Sequence, residues 1–183
     1  MYTIVSLVVI GLLLVMIVSL YNKMVRLKNM CEEGWSGIDV QLKKRYDLIP
    51  NLVEIVKGYA SHEKEVFENV AATRSMGINA ATVKDQGAAE NMITQALGRL
   101  FAVAENYPDL KANQNFIELQ RELSKIEDDI QLARRYYNGT ARDNNITVES
   151  FPSNLVASSF GFSKFDYFEL DSEAERSAPK IQF

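Results

Sequence analysis

The feature that most limits what this chain can fold into is an uncharged apolar run at its start, Tyr2–Leu20 (YTIVSLVVIGLLLVMIVSL). Its only polar groups are Thr3, Ser6, Ser19 and the Tyr2 hydroxyl. As a helix, these residues at about 1.5 Å each reach roughly 28 Å, close to the roughly 30 Å hydrocarbon core of a bilayer. A cleaved signal peptide is the competing reading, but it wants a basic first segment and a small-x-small cleavage site, and neither is visible. The expectation is a retained membrane anchor over residues 1–21, with Ile4, Val8, Leu12, Val15 and Leu20 among its apolar side chains. Lys23, Arg26 and Lys28 follow directly. The positive-inside rule therefore places what comes next on the cytoplasmic side.

Four helical segments are predicted after the anchor. The first spans about 22–46 (Leu27, Cys31, Trp35, Ile38, Leu42, Tyr46) and the second about 50–75 (Leu52, Ile55, Tyr59, Val66, Val70). The third spans about 86–106, with Ala89, Ile93, Ala96, Leu100 and Val103. The fourth, about 108–147, is the most regular. Phe116, Leu119, Leu123, Ile126, Ile130, Ala133 and Tyr137 alternate steps of three and four, the seam of a helix packed in a bundle or coiled coil. No strand pattern of any length precedes residue 145.

The breaks carry as much information. The 75–88 stretch, with two glycines and little periodicity, reads as a loop. Pro108 reads as a first helical position, where its missing N–H costs nothing. Pro50 in RYDLIPNLVEIV disfavours the helical conformation at Ile49, so the expectation is a corner there. One continuous helix kinked at Pro50 is the alternative. With a corner, an up-down-up-down bundle puts DLIP and NYPDL together at the tip farthest from the membrane. Arg45, Tyr46, Asp47, Pro50, Asn51, Glu54, Tyr107 and Asp109 are then the candidate interaction residues of that tip. The 149–183 segment would lie near the membrane. It brings Phe151, Leu155, Phe160, Phe162, Phe165 and Phe168, which either cover the bundle's own open end or touch a neighbouring copy or lipid. Pro152 and Gly161 bracket a short helix, and residues 171–183 read as a polar, extended tail.

Chemistry is hard to find. His62 is the single histidine, too few for a paired Glu-x-x-His di-metal bundle or a zinc site. His62 with Glu63 is a distant candidate for proton transfer. Cys31 is the single cysteine and lies on an apolar stripe, so it reads as a buried hydrophobe. No phosphate-cradling glycine motif or nucleophile elbow is present. The net charge of −4, with no long basic block, argues against nucleic acid. Asn138 and Asn145 head glycosylation-like triplets but fall in or beside a helix placed in the cytoplasm, and both are discounted.

The block MCEEGWSGIDVQLKKRYDLIPNLVEIVKGYASHE (30–63) closely resembles the LemA family of bacterial membrane proteins. The likeness continues through YPDLKANQNFIELQRELSKIEDDIQLARRYYN (107–138), FPSNLVASSFGF (151–162) and the APKIQF tail. Trp35, Asp39, Gln41, Arg45, Tyr46, Asp47, Pro50, Asn51 and Glu54 match the family pattern. The resemblance implies an N-terminal anchor and a long antiparallel helical bundle in a bacterial inner membrane. It brings no established activity, cofactor or catalytic residue. Some relatives are linked to intracellular membrane compartments and some lie beside membrane proteases.

The expected architecture is therefore all-α: a transmembrane helix (1–21), an antiparallel four-helix bundle (22–148) and an aromatic-rich C-terminal segment (149–183). The expected function is a non-enzymatic, homo-oligomeric membrane scaffold, with the lipid bilayer as partner and no cofactor or metal. An adaptor presenting its tip to a membrane-protein partner is the alternative.

Overall fold

The computed structural model describes residues 1–169, and among these all regular structure is helical. The helices are α1 (Tyr2–Tyr59), α2 (Lys64–Ile78), α3 (Val83–Ala104), α4 (Pro108–Lys111), α5 (Gln114–Glu149) and α6 (Ser153–Phe160). The expected all-α class and the long apolar N-terminal helix are both present. The polar tail at 171–183 lies outside the described residues. Packing divides the chain into two units. Unit 1 contains Met1–Ile38 and Leu132–Tyr167, and unit 2 contains Asp39–Gln131 with Phe168 and Glu169.

In unit 2 the expected corner at Pro50 does not form. α1 runs through Pro50 to Tyr59, and the reversal comes at residues 60–63, where the Glu63 N–H donates to the Ala60 carbonyl (3.1 Å). Two facts explain the continuity. Leu42, Tyr46, Ile49, Leu52, Val56 and Ala60 form one unbroken buried seam across the proline, while Pro50 itself faces solvent. An interior proline also strands the carbonyl four residues earlier, which here belongs to Tyr46. Arg74 on α2 supplies the missing donor, its Nε lying 2.7 Å from the Tyr46 carbonyl oxygen. A proline with its orphaned acceptor satisfied no longer has to end the helix.

The expected 75–88 loop shrinks to residues 79–82, because its glycines are close-approach positions inside helices. A Cβ at Gly77 would stand 2.5 Å from the Tyr46 hydroxyl oxygen, and one at Gly87 would collide with the Glu169 carbonyl. Thr82 opens α3 by accepting the Asp85 N–H at 3.1 Å, a capping arrangement that starts the helix earlier than its apolar stripe does. Pro108 occupies the first turn of α4 as expected. The fourth segment then divides, because Asn113 accepts the Phe116 N–H (3.1 Å) and starts α5 afresh. The reversals at 60–63 and 79–82 are short enough to make α1, α2 and α3 antiparallel neighbours.

In unit 1, α1 contributes Met24, Cys31 and Ile38 and α5 contributes Tyr137 and Ala141 to the buried surface. Gly34 lets the two helices approach closely, since a Cβ there would meet the Tyr137 Cα at 3.2 Å. The Trp35 ring lies 5.5 Å from that of Tyr137. α6 begins after Pro152 and stops at Gly161, which adopts the left-handed conformation (φ 75°) that ends many helices.

Removing the proline tests this account of α1. Arg74→Ala should cost about 1–3 kcal/mol by leaving the Tyr46 carbonyl unsatisfied. In a Pro50→Ala background the backbone gains an N–H at position 50 that can take that carbonyl, so the Arg74→Ala penalty should fall by at least half. A double-mutant cycle by chemical denaturation checks this, and additive penalties would contradict it.

Candidate functional site

Sequence places opposite charges on two apolar stripes, and the structure brings them together in unit 2. Arg45 lies one residue before Tyr46 on the buried side of α1, and Glu90 lies between Ala89 and Ile93 on α3. Only 4% of Arg45 and 3% of Glu90 is exposed. Arg45 Nη1 donates to Glu90 Oε2 at 2.9 Å and sits 3.0 Å from Glu127 Oε2 of α5, while Nη2 donates to Thr94 Oγ1 at 3.0 Å. The Tyr46 hydroxyl donates to Glu90 Oε1 and accepts from Gln86 Nε2 at 2.7 Å. Gln86 Nε2 also reaches Glu90 Oε1 at 3.2 Å. Four helices thus contribute to one polar knot, counting the Arg74 contact to the Tyr46 carbonyl.

Burial dominates the electrostatics. It raises the Glu90 carboxyl above its ordinary value, and the hydrogen bond from Tyr46 and the Arg45 charge only partly offset this. Burial and then the neighbouring Glu90 charge push the Tyr46 hydroxyl far up. Donors from Tyr46, Gln86 and Arg45 occupy the Glu90 oxygens. A carboxylate so fully engaged by the protein is suited to fixing helices in register rather than to taking a substrate proton. Hollows flank the knot on two sides. One, of about 280 Å³, is lined by Asp39, Lys43, Tyr46, Asp47, Ile78 and Gln86 among others. The other, of about 340 Å³, is lined by Arg45, Thr94, Leu97, Phe101, Leu123 and Glu127 among others.

The expected tip residues separate. Arg45 and Tyr46 are buried in the knot, whereas Asp47, Pro50, Asn51 and Glu54 are exposed on α1. Tyr107 is half-buried and Asp109 exposed at the α3–α4 turn. Asn113, between α4 and α5, donates its amide to the hydroxyl of Tyr59 at the end of α1, at 3.0 Å. Of the family-pattern residues further back, Asp39 is exposed and Gln41 half-buried. His62 is exposed in the reversal. The Cys31 thiol is buried and pushed above its ordinary value by that burial, which leaves it a poor nucleophile. No group of three or more histidine, cysteine, aspartate or glutamate side chains that could hold a metal ion occurs among the described residues.

In unit 1 a second polar cluster works on the backbone. Asn145 brackets Phe165, its amide donating to the Phe165 carbonyl and accepting the Phe165 N–H, both at 2.9 Å. Asn144 donates to the Ser163 carbonyl (3.1 Å) and the Tyr137 hydroxyl to the Asp166 carbonyl (2.8 Å). Burial pushes the Tyr137 hydroxyl up to about 12. The aromatic candidates divide accordingly. Phe168 is buried in unit 2, and Phe162 and Phe165 are half-buried, whereas Phe151, Leu155 and Phe160 face outward. Glu90, Glu127, Gln86 and the asparagine pair were missed by sequence reasoning. Glu90 was detectable as a charge inside an apolar stripe, but Asn145 reads first as the head of a glycosylation triplet and Asn144 carries no signal of its own.

The family model for the LemA family matches residues 34–183. The chain belongs to the LemA family. Its relatives include magnetosome protein MamQ 2 of Paramagnetospirillum magneticum, 27% identical over 175 aligned residues. That alignment covers 81% of this chain and 64% of the relative, so the LemA-family chain spans just under two thirds of the MamQ length. Magnetosome protein MamQ of Magnetospirillum gryphiswaldense is 24% identical with the same coverage. Protein LemA of Metamycoplasma hominis is 28% identical over 91% of this chain and 76% of its own length. Neither the family description nor these names state an enzymatic activity.

Breaking the knot from one side should reveal Glu90. Arg45→Met should destabilise the protein by about 3–5 kcal/mol at neutral pH, because it leaves a buried carboxylate without its counter-charge. Glu90 binds its proton more tightly folded than unfolded. Stability from that proton is therefore fully present below the ordinary carboxylate pKa and lost as pH rises through the raised one. The Arg45→Met penalty should accordingly shrink as pH falls through that window. A penalty that stays constant in denaturation measured across pH would assign no charge role to the pair.

Proposed function

We propose that this LemA-family chain is a non-enzymatic, single-pass membrane scaffold that self-associates to organise or shape a patch of bilayer. The supporting observation is the state of the apolar span. Residues 1–19 are all exposed, so the chain's own packing buries none of them. The same helix is long and apolar enough to cross a membrane. Just past Leu20 the same unbroken helix becomes buried, first at Met24. A membrane is the environment that makes this surface favourable, since each unpaired apolar side chain in water forgoes about 1.5–3 kcal/mol. Lys23, Arg26 and Lys28 at the end of the span favour the cytoplasmic face of a bacterial inner membrane. The relatives named as magnetosome proteins fit a role in membrane organisation.

A second reading, an adaptor for another membrane protein, draws on one observation. Asp47, Asn51 and Glu54 follow a four-then-three spacing and are all exposed, giving α1 an outward polar face beside its buried seam. Substituting Asp47 and Asn51 should abolish capture of a partner without changing helicity if that face is the contact.

The scaffold reading is tested by mass photometry of the full-length protein extracted in mild detergent. Multi-copy particles should dominate, with the distribution shifted by deletion of residues 151–183. A single-copy mass at every concentration, unaltered by the deletion, would refute self-association.

A further inference from the structure

We infer that α6 is a second membrane contact, lying in the lipid interface at the base of the span with Phe151, Leu155 and Phe160 turned into the bilayer. The inference rests on the reading of Tyr2–Leu20 as a membrane span. α6 has two faces. Val156 and Ala157 are buried against Met24 of α1, with Leu20, Val148 and Phe162 packed around them. The other face leaves Leu155 58% and Phe160 57% exposed, and Phe151 just before the helix is 80% exposed.

The height of α6 along the span decides the occupant. Leu20 is the last residue of the apolar run, and it belongs to the cluster that seats α6. The next residue, Tyr21, places its ring 5.0 Å from the ring of Phe160 and 5.5 Å from that of Phe162, both edge-on. A side chain touching Leu20 or Tyr21 cannot be far from the plane where hydrocarbon gives way to headgroups. The exposed apolar surface of the span therefore continues through Tyr21 onto Phe160. Aromatic rings concentrate at that depth because they are apolar in body and tolerate the polar boundary. Exposed Lys23, Arg26 and Lys28 lie within the next two turns of α1, at the level where anionic headgroups attract them. Clamping of the following chain by Asn144, Asn145 and Tyr137 holds α6 there without using its outer face.

Site-directed spin labelling of the full-length protein tests this, in phosphatidylethanolamine–phosphatidylglycerol vesicles at high lipid excess. In a Cys31→Ala background, labels go on Leu155→Cys and Phe160→Cys, with Leu12→Cys in the span and Arg142→Cys on exposed α5 as references. Ser159→Cys, on the same exposed side, replaces Phe160→Cys if that variant loses helicity. Leu155 and Phe160 labels should be open to oxygen and shielded from a water-soluble nickel chelate, about 5–10 Å below the phosphate level. Arg142 should read as water and Leu12 as deep hydrocarbon. Water-like values at Leu155 and Phe160 with Leu12 deep would overturn the inference and leave the span intact. Water-like values at Leu12 would overturn both. Dipolar broadening at Leu155 that disappears on mixing with unlabelled protein would assign the face to a second copy and also overturn the inference.

Discussion

Unit 2 closes around the Arg45 guanidinium, because a cation with so little of its surface exposed tolerates few helix registers. Burying it is expensive, and the return comes only when Glu90 and Glu127 arrive from α3 and α5 at hydrogen-bonding distance. A slip of α3 by one residue would swing Glu90 about 100° around its axis, leaving its buried carboxylate without a cation and Arg45 with only the partly exposed Glu127. An apolar seam alone would not penalise that slip as sharply, since its leucines and alanines pack in several ways. The ion pair therefore contributes less to net stability than to the choice of a single arrangement. Gly77 belongs to the same device, since the bulk of any larger residue would displace the Tyr46 ring that reaches Glu90.

The Arg74 contact shows how two apparent local faults cancel. A proline inside α1 leaves one carbonyl without its helical donor, and a half-buried arginine on α2 needs an acceptor. Satisfying each with the other ties α2 to α1 one turn before Pro50 and lets one helix supply both the membrane-type segment and the wall of unit 2. Polar side chains do comparable work in unit 1. Asn145 offers the Phe165 backbone the donor and acceptor that a neighbouring strand would otherwise provide, so a segment outside any helix is held by α5.

Helical class, the apolar run, the α5 seam and the α6 brackets were legible because each rests on local periodicity or on a cap. The course of α1 through Pro50 was not, because the residue that rescues it is twenty-eight positions from Tyr46. The glycines at 77 and 87 misled for the same reason. Their small size answers atoms of Tyr46 and Glu169, far along the chain, rather than any turn of their own. The charge knot was half legible. Arg45 and Glu90 stand out as charges within apolar stripes, but Glu127 lies on the partly open side of α5, where an acidic residue is ordinary. What sequence cannot rank is which of several plausible acids the buried cation selects.

The division of the six C-terminal hydrophobic candidates carries the last step. Had all of them turned inward, the segment would be a plug for the protein's own core, and its composition would say nothing about surroundings. Instead the inward places are filled by Phe162, Phe165 and Phe168, with backbone clamps between them, and the outward places still hold Phe151, Leu155 and Phe160. Ser158 and Ser159 on the exposed side of α6 show that polar residues are tolerated there. Large apolar side chains kept beside them, at the level of Leu20 and Tyr21, are best stabilised by a medium that is itself apolar on one side and polar on the other. A bilayer interface has that character, and the same unit carries a helix long and apolar enough to cross a membrane.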